Sequence, residues 1–367
     1  MRIHILYPVY LSVFLSFFLA LQDIYSQEVH SRAGESLNAI KPADSRRGDA
    51  GIRVMFYNVE NLFDVVNDSL TMDDEYTPQG SRRWTFSRLQ RKVNNIAKVI
   101  IRAGGWEPPE IIGLCEVENR YVLTNLTTDS PLKNIGYRII HRDSPDPRGI
   151  DVAMLYRPEK FTPVETKYIG IRFPFEPEAR TRDILYVKGV VLKKDTLHLF
   201  VNHWPSRFGG HQATIPKREF VAQQLRRLVD SLMVADQGAR ILIMGDLNDE
   251  PTDPSVSKVL NATQDSLNLA PGQLYNMMTG AGSDWNYGTI KDKELWITID
   301  QFIVSSSLLK RNEGLHTVPH WIRIMNPPFL LQKDDAWFGQ KPFRTYYGFE
   351  YIGGFSDHLP IYMDLKY

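Results

Sequence analysis

Oxygen-bearing side chains stand where apolar runs of this sequence begin or end: Asn58, Glu116, Asp246, Asn248, Asp300 and Asp357. Hard oxygen donors without a Cys or His cluster beside them suit Mg2+, with Mn2+ as a substitute, and not a structural zinc. Two imidazoles occupy the same kind of position, in Asn202-His203-Trp204-Pro205 and Ser356-Asp357-His358, and histidine is the side chain that changes charge near neutral pH. A hard cation, two histidines and several carboxylates describe hydrolysis of a phosphate ester. The metal neutralises charge on the phosphoryl oxygens while a positioned base aligns water for in-line attack. Taken singly, each cluster has an ordinary reading: Gly245-Asp246-Leu247-Asn248 is also a strand-ending turn, and His203 is also a packed histidine. Glu116 is harder to dismiss, because a carboxylate straight after an apolar run needs a partner or a metal. The conjunction favours one shared site.

The elements that must deliver these groups repeat once along the chain. Ile52, Val54 and Phe56 alternate into Asn58-Val59-Glu60-Asn61, which is a strand with a polar end. Phe86, Leu89, Val93, Ile96, Ala97 and Ile100 recur at helical spacing until Gly104-Gly105 stops them, and Ile111 to Leu114 is a buried strand delivering Glu116. The second half follows suit. His198 to Val201 leads to His203, Phe220 to Leu232 carries a helical period, and Ile241 to Met244 delivers Asp246 and Asn248. Leu359, Ile361, Met363 and Leu365 alternate in a last strand after Asp357-His358. Strand, helix, strand in each half predicts a layered α/β architecture with sheets inside and helices outside.

Composition excludes several classes. With 43% hydrophobic and 23% charged residues, the 367-residue chain has an ordinary globular balance. Its 43 basic and 43 acidic side chains cancel, which argues against a protein that coats nucleic acid or membrane. The single cysteine, Cys115, lies inside an apolar run and is expected to be a buried core thiol. Arg2 followed by an apolar run from Ile5 to Leu21 and small Ser26 predicts a signal peptide over residues 1–26, with an uncleaved anchor as the alternative. The chain is therefore expected to be exported, as a periplasmic, secreted or cell-surface protein. Residues 27–50 read as a polar linker and 51–367 as one domain, expected to act as a monomer.

Matching segments then carry a resemblance: Phe56-Tyr57-Asn58-Val59-Glu60-Asn61, Gly113-Leu114-Cys115-Glu116-Val117, Gly149-Ile150-Asp151-Val152-Ala153, Val201-Asn202-His203-Trp204, Met244-Gly245-Asp246-Leu247-Asn248, Ile299-Asp300-Gln301-Phe302 and Phe355-Ser356-Asp357-His358. The sequence resembles the endonuclease/exonuclease/phosphatase superfamily, which includes DNase I-like nucleases, apurinic endonucleases, neutral sphingomyelinases and inositol-polyphosphate 5-phosphatases. The resemblance implies a DNase I-like, four-layered α/β (α+β) sandwich of two mainly antiparallel sheets flanked by helices. It implies that Asn58 and Glu116 hold Mg2+ with Asp357 assisting, and that Asp246 and Asn248 orient the attacking water or the scissile phosphate. By the same resemblance Asp246 is a candidate base, His358 meets the phosphate or acts as base with Asp300 orienting it, and His203 serves the transition state or the leaving oxygen.

Other assignments stay open at this level. Asp151 either orients His203 or is a structural strand residue, and Arg182 is either a bidentate phosphate fork or the partner of a surface acid. The bases Arg82, Arg83, Arg88, Arg91 and Lys92 either track a nucleic-acid backbone or form a solvated helix face. The aromatic-rich segment 311–352 either stacks bases beside the site or packs on itself. Three functions compete: an exported nuclease acting on nucleic acid, a lipid or small-molecule phosphoesterase, and a non-catalytic binding module. The complete set of Glu116, Asp246, Asn248, Asp357 and His358 argues against the last.

Overall fold

The alternation that predicts strands ending in polar residues builds two sheets. The computed structural model describes residues 51–279, 287–311 and 313–367; the expected signal segment and linker lie outside the described residues. In chain order the sheet strands are β1 (Gly51–Leu62), β2 (Ile111–Val117), β3 (Arg138–His141), β4 (Asp151–Tyr156), β5 (Phe161–Ile169), β6 (Ile184–Val191) and β7 (Asp195–His203). They continue as β8 (Ile241–Asp246), β9 (Ala262–Thr263), β10 (Leu274–Asn276), β11 (Asp300–Ser305), β12 (Ile322–Ile324) and β13 (Ile361–Lys366). A six-stranded sheet has the order β12-β13-β1-β2-β4-β3, and a seven-stranded sheet the order β5-β6-β7-β8-β11-β10-β9.

The repeat seen in the sequence is the centre of each sheet. β1 pairs parallel with β2, and β7 parallel with β8, while most other neighbours are antiparallel. A parallel pair needs a crossover. Helix α1 (Phe86–Gly104) supplies the first and α3 (His211–Ala235) the second, with a short α2 (Arg120–Thr128) between them in sequence. Gly105 ends α1 at φ 71°, a left-handed turn that glycine enters without a Cβ penalty. The helix α3 starts at His211, before the apolar period at Phe220, because Pro216 and polar neighbours hide its first turns.

Alternation also explains the layering. In the second sheet Leu185, Val187, Leu199, Val201, Leu242, Met244, Phe302 and Val304 join the first sheet's core. The intervening residues Ile184, Tyr186, Phe200, Ile241, Ile243 and Ile303 pack with Val221, Leu225 and Val229 of α3. The central strands of this sheet are thus buried on both faces, giving helix, sheet, sheet and helix layers. Cys115 is fully buried in this core, as expected, and burial pushes its thiol pKa well up.

The basic stretch around α1 does neither of the things its charges suggested. Lys92 is buried and donates to Phe355 O at 2.6 Å and to Thr345 Oγ1, while Asn95 Nδ2 donates to Gly354 O at 2.7 Å. The Arg82 guanidinium lies 5.1 Å from the Tyr346 ring and 5.2 Å from Tyr76, and Arg88 lies 4.3 Å from Tyr351. These cations staple the aromatic-rich segment to α1, and Arg83 and Arg91 alone in this group remain exposed. Most of that segment packs: Phe329 and Phe343 meet Phe355, and Tyr346 meets Tyr351. Phe338, Tyr347 and Phe349 stay open to solvent.

Candidate active site

Strand direction places the polar ends together. Adjacent parallel strands finish at one edge, so Asn58 of β1 and Glu116 of β2 meet, as do His203 of β7 and Asp246 of β8, which are register partners. β11 runs antiparallel to β8 and puts Asp300 opposite Asp246. β13 runs antiparallel to β1, pairing Ile361 with Phe56, so the preceding His358 arrives beside Asn58. Ser356 fixes that approach: its hydroxyl donates to Asn58 O at 2.8 Å and accepts from His358 N at 3.1 Å.

The side chains form one buried network. Asn58 Nδ2 lies 3.0 Å from Asp246 Oδ2, 3.3 Å from Glu116 Oε1 and 3.4 Å from His358 Nε2. Its own Oδ1 accepts from Glu60 N at 3.0 Å, which sets the amide with nitrogen toward the acids. His358 Nδ1 and Asp300 Oδ2 are 2.7 Å apart, and Asp300 N meets Thr289 Oγ1 at 3.1 Å. His203 Nε2 stands 3.6 Å from Asp246 Oδ2 and 3.9 Å from Glu116 Oε1. Asn248 N donates to Asp246 Oδ1 at 2.9 Å, and Asn248 Nδ2 donates to Trp204 O at 3.1 Å.

Backbone conformation is part of the construction. Glu116 and Asn248 have φ of 60° and 52°, in the left-handed region that such residues rarely occupy. Both bends turn a polar side chain off its strand end. Glu116 Oε2 is then held by Asn61 N at 3.0 Å. Gly245 has a steric reason: a Cβ there would lie 2.5 Å from Asn202 O, so only glycine lets β8 run this close beside β7.

Charge is distributed unevenly. Burial and the neighbouring Asp300 push the Asp246 carboxyl up to about 7. Burial disfavours a charge on His358, yet Asp300, Asp246 and Asp357 together raise its imidazole well above its ordinary value. His203 is driven well down by burial, then by Arg182 and Arg148, so it is neutral. A cationic imidazole, a neutral one and a carboxylate of raised basicity form a set of acid, hydrogen-bond donor and base.

A hard cation fits this donor set. Carboxylate oxygens of Asp246 and Asp300 lie within 4.8 Å of each other, and Asp300 Oδ1 is buried without a hydrogen-bond partner among the described residues. Glu116 and Asp246 face each other across Asn58, and Glu116 is the carboxylate placed to hold such an ion beside Asp246. Asn58 was expected as a ligand. Its Oδ1 accepts from Glu60 N and keeps a second lone pair for an ion, while its Nδ2 donates to Asp246 Oδ2 and holds that acid.

Three further positions have partners of their own. The carboxylate of Asp151 lies 3.3 Å from His141 Nε2 and accepts from Ser144 N at 2.7 Å, so it serves the β3–β4 edge and not His203, whose Nδ1 has no hydrogen-bond partner among the described residues. Arg182 is neither a phosphate fork nor the partner of a surface acid. It is buried, with its guanidinium committed to Asp146 Oδ2 at 2.8 Å, His203 O at 3.1 Å and Trp204 O, so it clamps the His203 strand end. Asp357 faces Arg344 Nη2 at 3.1 Å, outside the acid cluster. Sequence reasoning missed Glu60, which accepts from Arg344 Nε at 3.0 Å and Thr345 N at 2.6 Å and ties β1 to the C-terminal segment. Periodicity gave no signal for it: Glu60 and Asn61 have φ of 50° and 58°, and the register of β1 on β2 shifts after Asn58.

Solved structures share this architecture. The chain matches truncated Caenorhabditis elegans TDP2 at 16% identity and TM-score 0.51, covering 86% of this chain and 98% of that one. It matches a Bacteroides thetaiotaomicron mannosyl-6-phosphatase at 17% identity and TM-score 0.54, covering 86% and 100%. A structure of D. rerio TDP2 complexed with a single-strand DNA product matches at 14% identity and TM-score 0.51, covering 87% and 100%. No curated protein sequence gives a significant match. The model of the Endonuclease/Exonuclease/phosphatase family matches residues 53–367, from β1 to the C-terminal residue, and with the two-sheet sandwich and its strand-end site already described, the chain belongs to that family.

Proposed function

We propose that this protein is an exported, Mg2+-dependent hydrolase of phosphate esters that cleaves phosphodiesters as a nuclease or phosphodiesterase, working as a monomer. The observation that carries this reading is the buried line from Asp300 through His358 to Asp246, with 2.7 Å between the imidazole Nδ1 and Asp300 and 3.8 Å between its Nε2 and Asp246 Oδ2. A bound Mg2+, or Mn2+ in its place, supplies charge neutralisation on the phosphoryl oxygens. His358, kept cationic by Asp300, donates from Nε2 to a phosphoryl oxygen. Asp246, its basicity raised by burial and held in place by Asn58 and Asn248 N, orients and deprotonates the attacking water. Neutral His203 stands on the far side of Asp246 from Asp300 as the hydrogen-bonding group for the leaving oxygen. Export rests on the apolar run after Arg2.

The test is hydrolysis of bis-p-nitrophenyl phosphate by the purified mature chain with Mg2+ or Mn2+, followed by a panel of plasmid DNA, RNA, sphingomyelin, phosphoinositides and nucleotides. EDTA is expected to abolish activity. Turnover undiminished by EDTA sinks the metal-dependent reading, and cleavage confined to lipid or small esters moves the assignment away from a nuclease.

A further inference from the structure

A cavity of about 460 Å3 lies beside His203, and the chemistry above makes no use of it. Pro205 and Ser206, which follow the His203 strand end, form one wall, and Arg182 joins the cavity to the site by donating to His203 O. Arg148, Arg180, Arg182 and Lys217 line it, with Asp146 as the acid among the lining residues.

The charges do not balance. Asp146 is shared by Arg182 at 2.8 Å and Arg148 at 3.3 Å, and Lys217 pairs with Glu176 at 2.6 Å. Arg180 donates to Pro177 O at 2.6 Å and Ala179 O at 3.3 Å and meets no carboxylate among the described residues. The cavity therefore keeps an excess of positive charge. Thr214 of the opening turns of α3 lines the cavity, while the Asp249 carboxylate meets the same helix end at His211 and Arg218. Phe208, 93% exposed, stands at the rim.

A cation-lined cavity against a phosphate-cleaving centre has one fitting occupant. We infer that it is a subsite for a second phosphate of the substrate, carried on the His203 side of the scissile group, so that the preferred substrate bears at least two phosphates. This rests on the phosphoesterase reading above and narrows it. The second phosphate comes either from a neighbouring nucleotide or from a small bisphosphate; in the first case an adjoining base can stack on Phe208.

Calorimetric titration of the full chain in Mg2+ with propane-1,3-diol monophosphate, propane-1,3-diol bisphosphate and thymidine 3′,5′-bisphosphate tests this without relying on turnover. The wild-type chain should bind either bisphosphate at least about tenfold more tightly than the monophosphate. Tighter binding of the thymidine compound assigns the nucleotide source, and equal binding assigns a bare bisphosphate. Arg180→Ala with Lys217→Ala should bring the ratio close to one while leaving bis-p-nitrophenyl phosphate turnover unchanged, and Arg180→Lys should preserve the ratio. A ratio of one in the wild type, or one that survives the double variant, overturns the subsite. Absence of bis-p-nitrophenyl phosphate turnover in the wild type would instead strike the phosphoesterase reading, so the two failures are told apart.

Discussion

Asp300→Asn keeps the shape of the first residue of β11 and removes the charge that faces His358. At the 2.7 Å separation, a full ion pair at an effective dielectric of about 20 carries about 6 kcal/mol of attraction. Burying both partners offsets most of that, and a hydrogen bond to a charged group is worth about 1.5–3 kcal/mol net. With a tenfold rate change for about 1.4 kcal/mol, kcat/KM should fall about 10- to 150-fold at neutral pH. The pH profile is the sharper readout. Asp300 raises the pKa of His358 and also that of Asp246, so its loss lowers both. The alkaline limb, where His358 gives up its proton, moves into the neutral range, and the acid limb moves down. Stability follows the same sign: the stabilisation from His358, complete below its unfolded pKa of about 6.5 and lost as pH rises through the raised folded value, disappears in the variant. The assay is bis-p-nitrophenyl phosphate hydrolysis from pH 5.5 to 9 in saturating Mg2+, with circular dichroism to establish folding. A folded variant whose alkaline limb stays at the wild-type position refutes the claim that Asp300 holds His358 cationic.

Other consequences are open to simpler measurements. Arg182→Lys cannot keep Asp146 and both strand-end carbonyls, so the urea midpoint should drop by the equivalent of about 3 kcal/mol with KM for a monophosphorylated substrate unchanged; a raised KM at unchanged stability would restore the phosphate fork. Against the effect of burial, Arg182 and Arg148 hold the Asp146 carboxyl below its ordinary range. Its contribution to stability is therefore present above about pH 4 and lost as pH falls through the lowered value, and Arg182→Met should flatten the acid-unfolding curve in that window. Lys92→Met removes the cation between Glu60, Thr345 and Phe355 O and should cost about 3 kcal/mol in denaturant titration, with an unmoved midpoint counting against the staple.

The strand ends were legible because burial leaves a chemical trace along a sequence. A polar residue that closes an apolar run, as at Asn58, Glu116 and Asp246, is costly unless something compensates it, so its position announces a site. Geometry between distant segments leaves no such trace. Glu60 and Arg344 meet across 284 positions of the chain, and neither looks unusual alone. The partners of Arg182 are two backbone carbonyls and Asp146, none of which periodicity can single out. For Asp151 the sequence leaves two readings open, and the structural one holds because β3 lies on the other side of β4 and offers His141 first. For the basic face of α1 the sequence offers a nucleic-acid track or a solvated face and not a packed one, because the segment that covers it lies some 250 residues further on, as the bond from Lys92 to Thr345 shows.

Glu116 and Asn248 hold left-handed backbone angles that cost on the order of 1–3 kcal/mol each in a residue with a Cβ. Glycine would relieve that cost while giving up the bonds from Asn61 N to Glu116 and from Asn248 Nδ2 to Trp204 O. Glu116 and Asn248 are two of ten such positions among the described residues, and at these two backbone strain and the proposed chemistry pull in opposite directions. Repeated selection for heat resistance, applied without regard to activity, would press on Glu116 and Asn248 as it does on Leu192 and Lys193, and would discard side chains of the reactive centre.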